Sequence, residues 1–334
     1  MATIGAGVAT LADWAKTRDP DGKTADIVEV LSQTNEILED MMFKEGNLPT
    51  GHQTTVRTGL PSVYWRLLNQ GVQPSKSTNA QITEGIGMLE AWSEVDKDLA
   101  HLNGDVAAFR FSEATAFLEA MSQEMASTVF YGNSSVDPEE FNGLSVRYAD
   151  TTAANGQNII DGAGSSSDNS SIWMVCWGEQ TCHGIFPKGS MAGLEHEDLG
   201  LATVTVTQGV GGSRMRAYQE RYCWKAGLAL RDWRYVTRIA NLDISNLVAD
   251  SSAADLIQLM TKAYHRIPNK SMLSKCSIYM NRSVMQYLDI QRYQATQAGG
   301  GITYKDVDGR DIPYFRDMPI RVCDALTETE SAVS

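Results

Sequence analysis

The residues best suited to bind a metal ion are Cys182 and His183, with Cys176 and His196 nearby in the sequence. Thiolate and imidazole groups are the ligands that zinc sites use most often. Such sites usually pair their ligands at tight spacings, for example two cysteines separated by two residues, and the sequence has no such pair. We therefore expect structural roles for these four side chains and predict no metal site.

Four other motifs each lack a required part. Residues 5–7 resemble a dinucleotide-binding loop without a preceding strand, and residues 209–212 are glycine-rich without a following Gly-Lys-Ser/Thr. Residues 306–311 resemble a calcium loop, but Arg310 has the wrong charge and the downstream glutamate is missing. The serine within residues 189–193 is wrongly placed for a nucleophile elbow. The sequence therefore predicts no catalytic residue, no cofactor and no enzymatic activity.

The five cysteines are scattered along the chain, and their number is odd. This arrangement does not indicate a disulfide framework, and a protein made in a reducing cytosol keeps its thiols reduced. We expect the cysteines to be small buried apolar side chains.

The acidic composition limits the classes of partner. The chain has 334 residues, 43% of them hydrophobic, and a formal net charge of −13. Binding to a phosphate backbone needs clustered Lys and Arg that displace counterions, and this acidic chain is not suited to it. If the chain surrounds nucleic acid, we expect it to enclose the nucleic acid as a wall without binding it tightly. The sequence has neither a long apolar run nor a signal-peptide pattern, which predicts no membrane contact.

An extended hairpin is predicted in the first third of the chain. Residues 54–58 and 63–67 are rich in β-branched and aromatic side chains, as strands are. A polar stretch at 70–83 separates them from another strand-like run at 89–92. Such a hairpin buries little of its own surface, so we expect a neighbouring chain to cover its aromatic side chains.

Apolar side chains recur at helical spacing in residues 24–43 and 112–131. Ser112 is the expected cap of the second helix, which has the strongest helical pattern in the sequence and ends at Gly132. Residues 150–171 and 208–213 have the composition of a surface loop and a hairpin tip. Further strands are predicted at 172–177, 201–207, 221–230, 276–280, 302–307 and 319–323, and further helices at 256–264 and 282–288.

The order of these elements resembles the Hong Kong 97-type capsid proteins of tailed bacteriophages. In that family an extended loop precedes a long spine helix, and a glycine-containing turn, a proline and a Gly-Leu pair follow the helix. The matching residues here are Phe-Tyr-Gly-Asn at 130–133, Pro138, and Gly-Leu at 143–144. The first half of the chain therefore resembles the family up to the end of the spine helix.

A second set of residues is similar to the axial domain of the same family. It comprises Tyr-Met-Asn at 279–281, Asp-Met-Pro-Ile at 317–320 and Asp-Ala-Leu at 324–326. Met318 stands where family members often have glycine. The strand at 219–234 resembles the peripheral strand that commonly ends the chain, but here it precedes the axial helix. This order implies a permuted connection, as in some short-tailed phages such as a Bordetella phage group.

The resemblance implies an α+β fold of the Hong Kong 97 type. Its expected parts are an N-terminal arm and helix (1–50), an extended loop (51–105), a peripheral domain (106–245) that contains the spine helix (112–131), and an axial domain (246–334).

The implied function is that of the major capsid protein of a tailed double-stranded DNA phage. Hexamers and pentamers of the chain would form the icosahedral shell of the virion. The alternatives are an encapsulin-like compartment shell and, less favoured, an α/β enzyme. The expected partners are the chain itself, a cement or decoration protein, a scaffolding protein and portal during assembly, and packaged DNA contacted non-specifically.

The resemblance also implies which residues lie at contacts. The covalent crosslink known in the family is not carried over, because Lys76 has no recognisable asparagine and glutamate partners. The inter-subunit candidates are Arg57, Tyr64, Trp65, Arg66, Lys76 and Trp92 in the extended loop. The expected packing residues of the spine helix are Phe117, Leu118, Met121 and Met125, and the peripheral strand contributes Arg221, Trp224, Trp233 and Arg234.

Overall fold

The computed structural model describes residues 33–102, 105–205, 214–249, 255–269, 275–294, 302–307 and 310–333. The helices are α1 (Ile37–Asp40), α2 (Lys97–His101), α3 (Val106–Tyr131), α4 (Leu144–Arg147), α5 (Ile244–Ala249), α6 (Leu256–Arg266) and α7 (Arg282–Gln294). The strands are β1 (Phe43–Glu45), β2 (Gly51–Gly59), β3 (Thr78–Gly85), β4 (Gly87–Asp96), β5 (Ile159–Asp161), β6 (Asn169–Cys176), β7 (Cys182–Phe186), β8 (Leu194–Thr205), β9 (Arg214–Leu230), β10 (Val236–Asp243), β11 (Cys276–Met280), β12 (Ile302–Val307), β13 (Arg310–Phe315) and β14 (Met318–Val322).

The central sheet has seven strands in the order β12-β13-β14-β11-β6-β10-β5. Every residue of β6 is buried. Side chains of a strand alternate between the two faces of a sheet, so Ile172 and Met174 enter the core under α6 and α7. Trp173 and Val175 enter a second core against the C-terminal half of α3. Burial on both faces explains why residues 172–176 of this strand form a continuous apolar run.

A disulfide joins Cys176 and Cys276 across this sheet. The two residues are separated by 100 positions but lie directly opposite each other in the antiparallel pair β6–β11. The prediction that the chain has no disulfide is therefore wrong, because sequence spacing does not reveal which distant strands pair. Cys182, Cys223 and Cys323 are free and buried, as expected, and burial raises the pKa of Cys182 and of Cys323 to about 12.

A second sheet of five strands is built around β9, which has 17 residues. β4 and β8 both pair with β9 in antiparallel register, and β7 pairs with its last residues. β1 extends the sheet beyond β7. This sheet supports α3, and β2 and β3 form a separate two-stranded sheet.

The spine helix α3 has 26 residues, which gives a rod of about 39 Å. It begins six residues before the predicted start, because Asp105 accepts a hydrogen bond from the Ala108 backbone N–H at 3.0 Å. The prediction that Ser112 caps the helix is therefore wrong. The helix ends at Gly132, as predicted; a Cβ there would lie 2.4 Å from the Phe141 carbonyl oxygen, so only glycine fits this turn. Among the described helices none is long and apolar enough to span a membrane.

The helix predicted at 24–43 lies partly outside the described residues. Within them, the helical residues are Ile37–Asp40, and the backbone is already extended at Met41. Phe43 begins β1, which pairs in parallel with β7. The prediction of a helix up to residue 43 is wrong, because strand pairing in the second sheet overrides the local helical pattern.

Several other boundaries differ from the predictions. The predicted loop at 150–171 contains β5 and the buried start of β6. The tip predicted at 208–213 lies outside the described residues, as do residues 308–309. By contrast, α6, β11 and β12 are found where hydrophobic periodicity predicts them, with α6 extended to Arg266.

Candidate inter-subunit surfaces

The extended arm consists of β2, β3 and the tip that joins them, residues 60–77. β2 and β3 pair from Gly51 opposite Gly85 to Gly59 opposite Thr78. Nine residues at about 3.3 Å each give an arm of about 30 Å before the tip begins. The strand predicted at 63–67 is absent from the described structure, and the returning strand β3 begins inside the stretch predicted as the polar tip. The aromatic and β-branched residues of 63–67 are therefore surface side chains of the tip and not part of a ladder.

The tip exposes an unusual number of large apolar side chains. Trp65 is fully exposed, and Tyr64 is 61% exposed. The other exposed apolar side chains are Leu60, Val63, Leu67, Leu68 and Val72. Arg57, Arg66 and Lys76 are also exposed. Contiguous exposed apolar side chains mark protein contact sites, so the tip is suited to lie against another protein surface.

The root of the arm is held by a buried ion pair. Arg147 in α4 donates two hydrogen bonds to the carboxylate of Glu84 in β3, at 2.6 and 2.7 Å. The same guanidinium donates to the carbonyl oxygens of Asn142 and Leu228 at 3.0 and 3.1 Å. Bidentate pairs between a guanidinium and a carboxylate are strong and directional. The root is therefore fixed to the subunit body, while the tip has no such anchor among the described residues.

Two histidines lie beside this root. His52 is opposite Glu84 in the β2–β3 register, and its ring meets that of His183 edge-on, with the centroids 5.9 Å apart. Burial, together with the nearby His52 and Arg231, lowers the pKa of His183 to about 4. Both histidines are neutral at neutral pH, because the pKa of His52 is also lowered, chiefly by burial.

The four predicted metal-ligand candidates are not gathered at one site. Cys176 is in the disulfide, and His196 stacks on Tyr222 with the ring centroids 4.8 Å apart. Within the described ranges no group of three or more His, Cys, Asp or Glu side chains is arranged to hold a metal ion.

The spine-helix candidates occupy different environments. Met121 and Met125 are buried, and Phe117 stacks on Tyr222 of β9 with the ring centroids 6.2 Å apart. Leu118 is 41% exposed and so does not pack into the core as expected. It faces a groove between α3 and β8 instead of the core.

Trp92 lies in the five-stranded sheet and not in the arm. It is in β4, directly opposite Arg221 of β9, so its assignment to the extended loop is wrong. Composition suggested a hairpin strand here, but β4 pairs with β9, more than 100 residues away. The Trp92 indole N–H donates to Glu90 at 2.7 Å, and Arg221 donates to the same carboxylate at 2.7 Å.

The remaining peripheral candidates follow β9. Trp224 and Trp233 are half-buried and pack against the core shared by the two sheets. Arg234 is paired with Asp232 at 2.7 Å, in a turn at Trp233–Tyr235. Whether any of the candidate residues contacts a second subunit stays a prediction.

A family model described as Major capsid protein GP7 matches residues 19–334. The chain belongs to this capsid protein family. A comparison with curated proteins gives no match.

One solved structure agrees with the family, and two others are more distant. A cryo-EM structure of bacteriophage Epsilon15 contains a chain that is 34% identical to this capsid protein, with a TM-score of 0.79. The match covers 100% of this chain and 99% of the other. The capsid chain of a native gene transfer agent particle is 10% identical with a TM-score of 0.43, over 67% of this chain and 95% of that one. The capsid chain of the myovirus XM1 is 9% identical with a TM-score of 0.42, over 71% and 100%.

The family and the Epsilon15 match decide between the predicted functions. The protein is a shell-forming major capsid protein of a tailed double-stranded DNA phage, and it is part of the virion capsid. The predicted α+β capsid fold is confirmed. The permuted connection and the domain limits stay predictions. The ion pair between Glu84 and Arg147 at the arm root was not predicted, because the 63-residue separation of its partners gives no local signal.

Proposed function

We propose that this capsid protein forms hexamers and pentamers in which the arm of each copy lies over the spine helix of a neighbour. The supporting observation is the tip at 60–77, whose apolar side chains are exposed in the single subunit. Burying apolar surface is worth about 25 cal/mol per Å², and a repeated contact in a closed shell gains further from multivalency. The shell is held by many such overlaps and needs no covalent crosslink.

The protein serves as a wall around the packaged DNA and has no enzymatic role. Its net charge of −13 disfavours tight binding to phosphate, so DNA is contacted non-specifically and slides during packaging. A strongly salt-dependent, tight association of the purified subunit with double-stranded DNA would contradict this part of the proposal.

Assembly involves other proteins of the phage. A scaffolding protein and a portal act during shell formation, and a cement or decoration protein binds the outer surface of the mature shell. The cement protein takes over the stabilising role that covalent crosslinks have in other shells of this type. Proteomic analysis of precursor and mature particles tests each partner, and a mature particle with no protein bound to its outer surface would exclude the cement protein.

The decisive experiment is electron microscopy of the protein expressed alone and together with its neighbouring phage genes. Closed shells or open tubes of regular lattice are the expected result. Particles with sixfold and fivefold capsomers would support the proposed arrangement. Persistent monomers or small closed oligomers under both conditions would contradict it.

A further inference from the structure

Two grooves with apolar walls lie along the spine helix α3, one beside each half. The N-terminal groove has a volume of about 430 Å³ and is bordered by Phe111, Leu118 and Leu194. The C-terminal groove has a volume of about 250 Å³ and is lined in part by Met88 and Phe141. Phe111 is 76% exposed and Met88 is 69% exposed, so apolar surface alone does not distinguish the two grooves as contact sites.

The charges of the N-terminal groove are already paired. Arg110 contacts Asp198 at 2.8 Å and Glu220 at 2.5 Å, and His196 lies 3.3 Å from Glu220. One guanidinium therefore partly neutralises both carboxylates. A cationic partner would have to compete with Arg110 for them, which weakens the attraction of this groove for positive charge.

The C-terminal groove carries negative charge without a counter-ion. Glu124, Glu139 and Glu140 all line it, and none forms an ion pair with a lysine or arginine of the described residues. Glu140 accepts a long hydrogen bond, 3.4 Å, from the Asn133 backbone N–H. The carbonyl end of α3 adds partial negative charge beside them. This groove therefore favours a partner that is both apolar and cationic.

The arm has this combination of properties. Residues 51–83 contain Arg57, Arg66 and Lys76 but no aspartate or glutamate, in a chain whose net charge is −13. The three cations are exposed and form no ion pair within the described residues, and Arg66 directly follows the fully exposed Trp65. The arm is thus the complement of the C-terminal groove in both polarity and charge.

We propose that the C-terminal groove of α3 binds the cationic arm tip of a second copy of this chain. This inference rests on the proposed overlap of arm and spine helix and adds its location. Apolar tip side chains cover the exposed Met88, and Arg66 or Lys76 provides the missing counter-ion for the three glutamates. Opposite charges steer the tip to this half of the helix and disfavour the other half, where the carboxylates are already paired.

Cysteine crosslinking locates the contact. Ser62→Cys in the tip is combined with Met88→Cys in the C-terminal groove, or with Phe111→Cys in the N-terminal groove as a matched control. Both groove positions are highly exposed, and the free native cysteines are buried. After mild oxidation of assembled shells, a non-reducing gel should show a ladder of joined subunits for the Met88 pair and single subunits for the Phe111 pair.

A charge exchange tests the electrostatic part. Arg66→Glu and Glu139→Lys should each lower the yield of closed shells by about tenfold, because each places like charges together. The double variant should recover most of the yield. As a control, Glu197→Lys, an exposed change on β8, should not rescue Arg66→Glu.

The outcomes separate this inference from the proposed function. Shells that crosslink at Phe111, or at neither groove, would overturn the assignment of the C-terminal groove and leave shell formation intact. Absence of rescue in the double variant would also overturn it. Wild-type protein that forms no shells at all would overturn the proposed function, and this inference with it.

Discussion

The arm tip and the central sheet differ in how many partners their side chains have within the subunit. Within the tip, residues 60–77, the described contacts include one side-chain hydrogen bond, from the Ser75 hydroxyl to the Ser62 carbonyl oxygen. In the sheet, buried Arg238 donates to Glu330 and to the Tyr148 carbonyl oxygen, each at 2.8 Å, and its guanidinium lies 5.0 Å from the Trp173 ring centre. We therefore expect subunit stability and shell assembly to depend on separate parts of the chain.

The largest expected effect on subunit stability comes from Arg238→Ala. It leaves the Glu330 carboxylate, which also accepts from Tyr131 at 2.5 Å, buried without its counter-ion. We expect the free energy of unfolding of the unassembled subunit to fall by about 3–5 kcal/mol, measured by urea denaturation. Arg234→Ala, at an exposed pair, is the control and should cost no more than about 1 kcal/mol. Equal effects of the two variants would contradict the comparison.

Removal of the disulfide should have the next largest effect. Cys176 and Cys276 close a long loop, so Cys276→Ala should lower the free energy of unfolding by about 2–4 kcal/mol. Reductant should lower the melting temperature of the wild type but not of the variant. Cys223→Ala should keep the sensitivity to reductant. Detection of five free thiols in the unreduced, unfolded protein would exclude the bond.

Acidification should weaken the root of the arm. Because the folded-state pKa of His183 is about 4 and the unfolded value is 6.5, the unfolded chain binds the proton first. The stability contributed by neutral His183 is complete above pH 6.5 and is lost as the pH falls towards 4. Lys44, Arg231 and His52 face the same region, and Glu84 is the nearby carboxylate.

The measurement is the unfolding free energy of the wild type and of His183→Gln between pH 7 and pH 4. Carboxylates titrate in both proteins, so the difference between the two curves isolates the histidine. The curve of the variant should be flatter in this window. Parallel curves would show that the histidine does not contribute.

The smallest effect on the subunit should come from Trp65→Ala. Since the indole is fully exposed, the free energy of unfolding should change by no more than about 0.5 kcal/mol. The yield and heat resistance of shells should nevertheless fall, as measured by electron microscopy and light scattering. Leu199→Ala, at an exposed position outside the arm, is the control and should leave both properties unchanged. Unchanged shells of the Trp65 variant would show that the tip is not an assembly contact.

Local patterns predicted those elements whose signals are contained within a few turns. Helix α6 follows from apolar residues such as Leu256 and Met260, and β11 follows from a short buried run. The end of α3 follows from Gly132, where a side chain would collide with the backbone. These features need no knowledge of distant residues.

The sequence could not predict features that depend on distant pairing. The disulfide between Cys176 and Cys276 depends on strands that the fold brings together, and so do the ion pairs Glu84–Arg147 and Arg238–Glu330. The composition of β4 predicted a hairpin strand, because pairing with a remote β9 has no local signature. The candidate groove likewise combines residues from β4, α3 and the following turn.

The position of Glu330 has a consequence for protein synthesis. The central sheet needs β14 as the neighbour of β11, and Arg238 lacks its counter-ion until residue 330 has left the ribosome. The arm and the spine helix are made much earlier, since translation proceeds at about 5–20 residues per second. A nascent chain therefore exposes its arm and spine helix for many seconds before its core can close. Incomplete chains on a crowded polysome therefore need some means of staying apart.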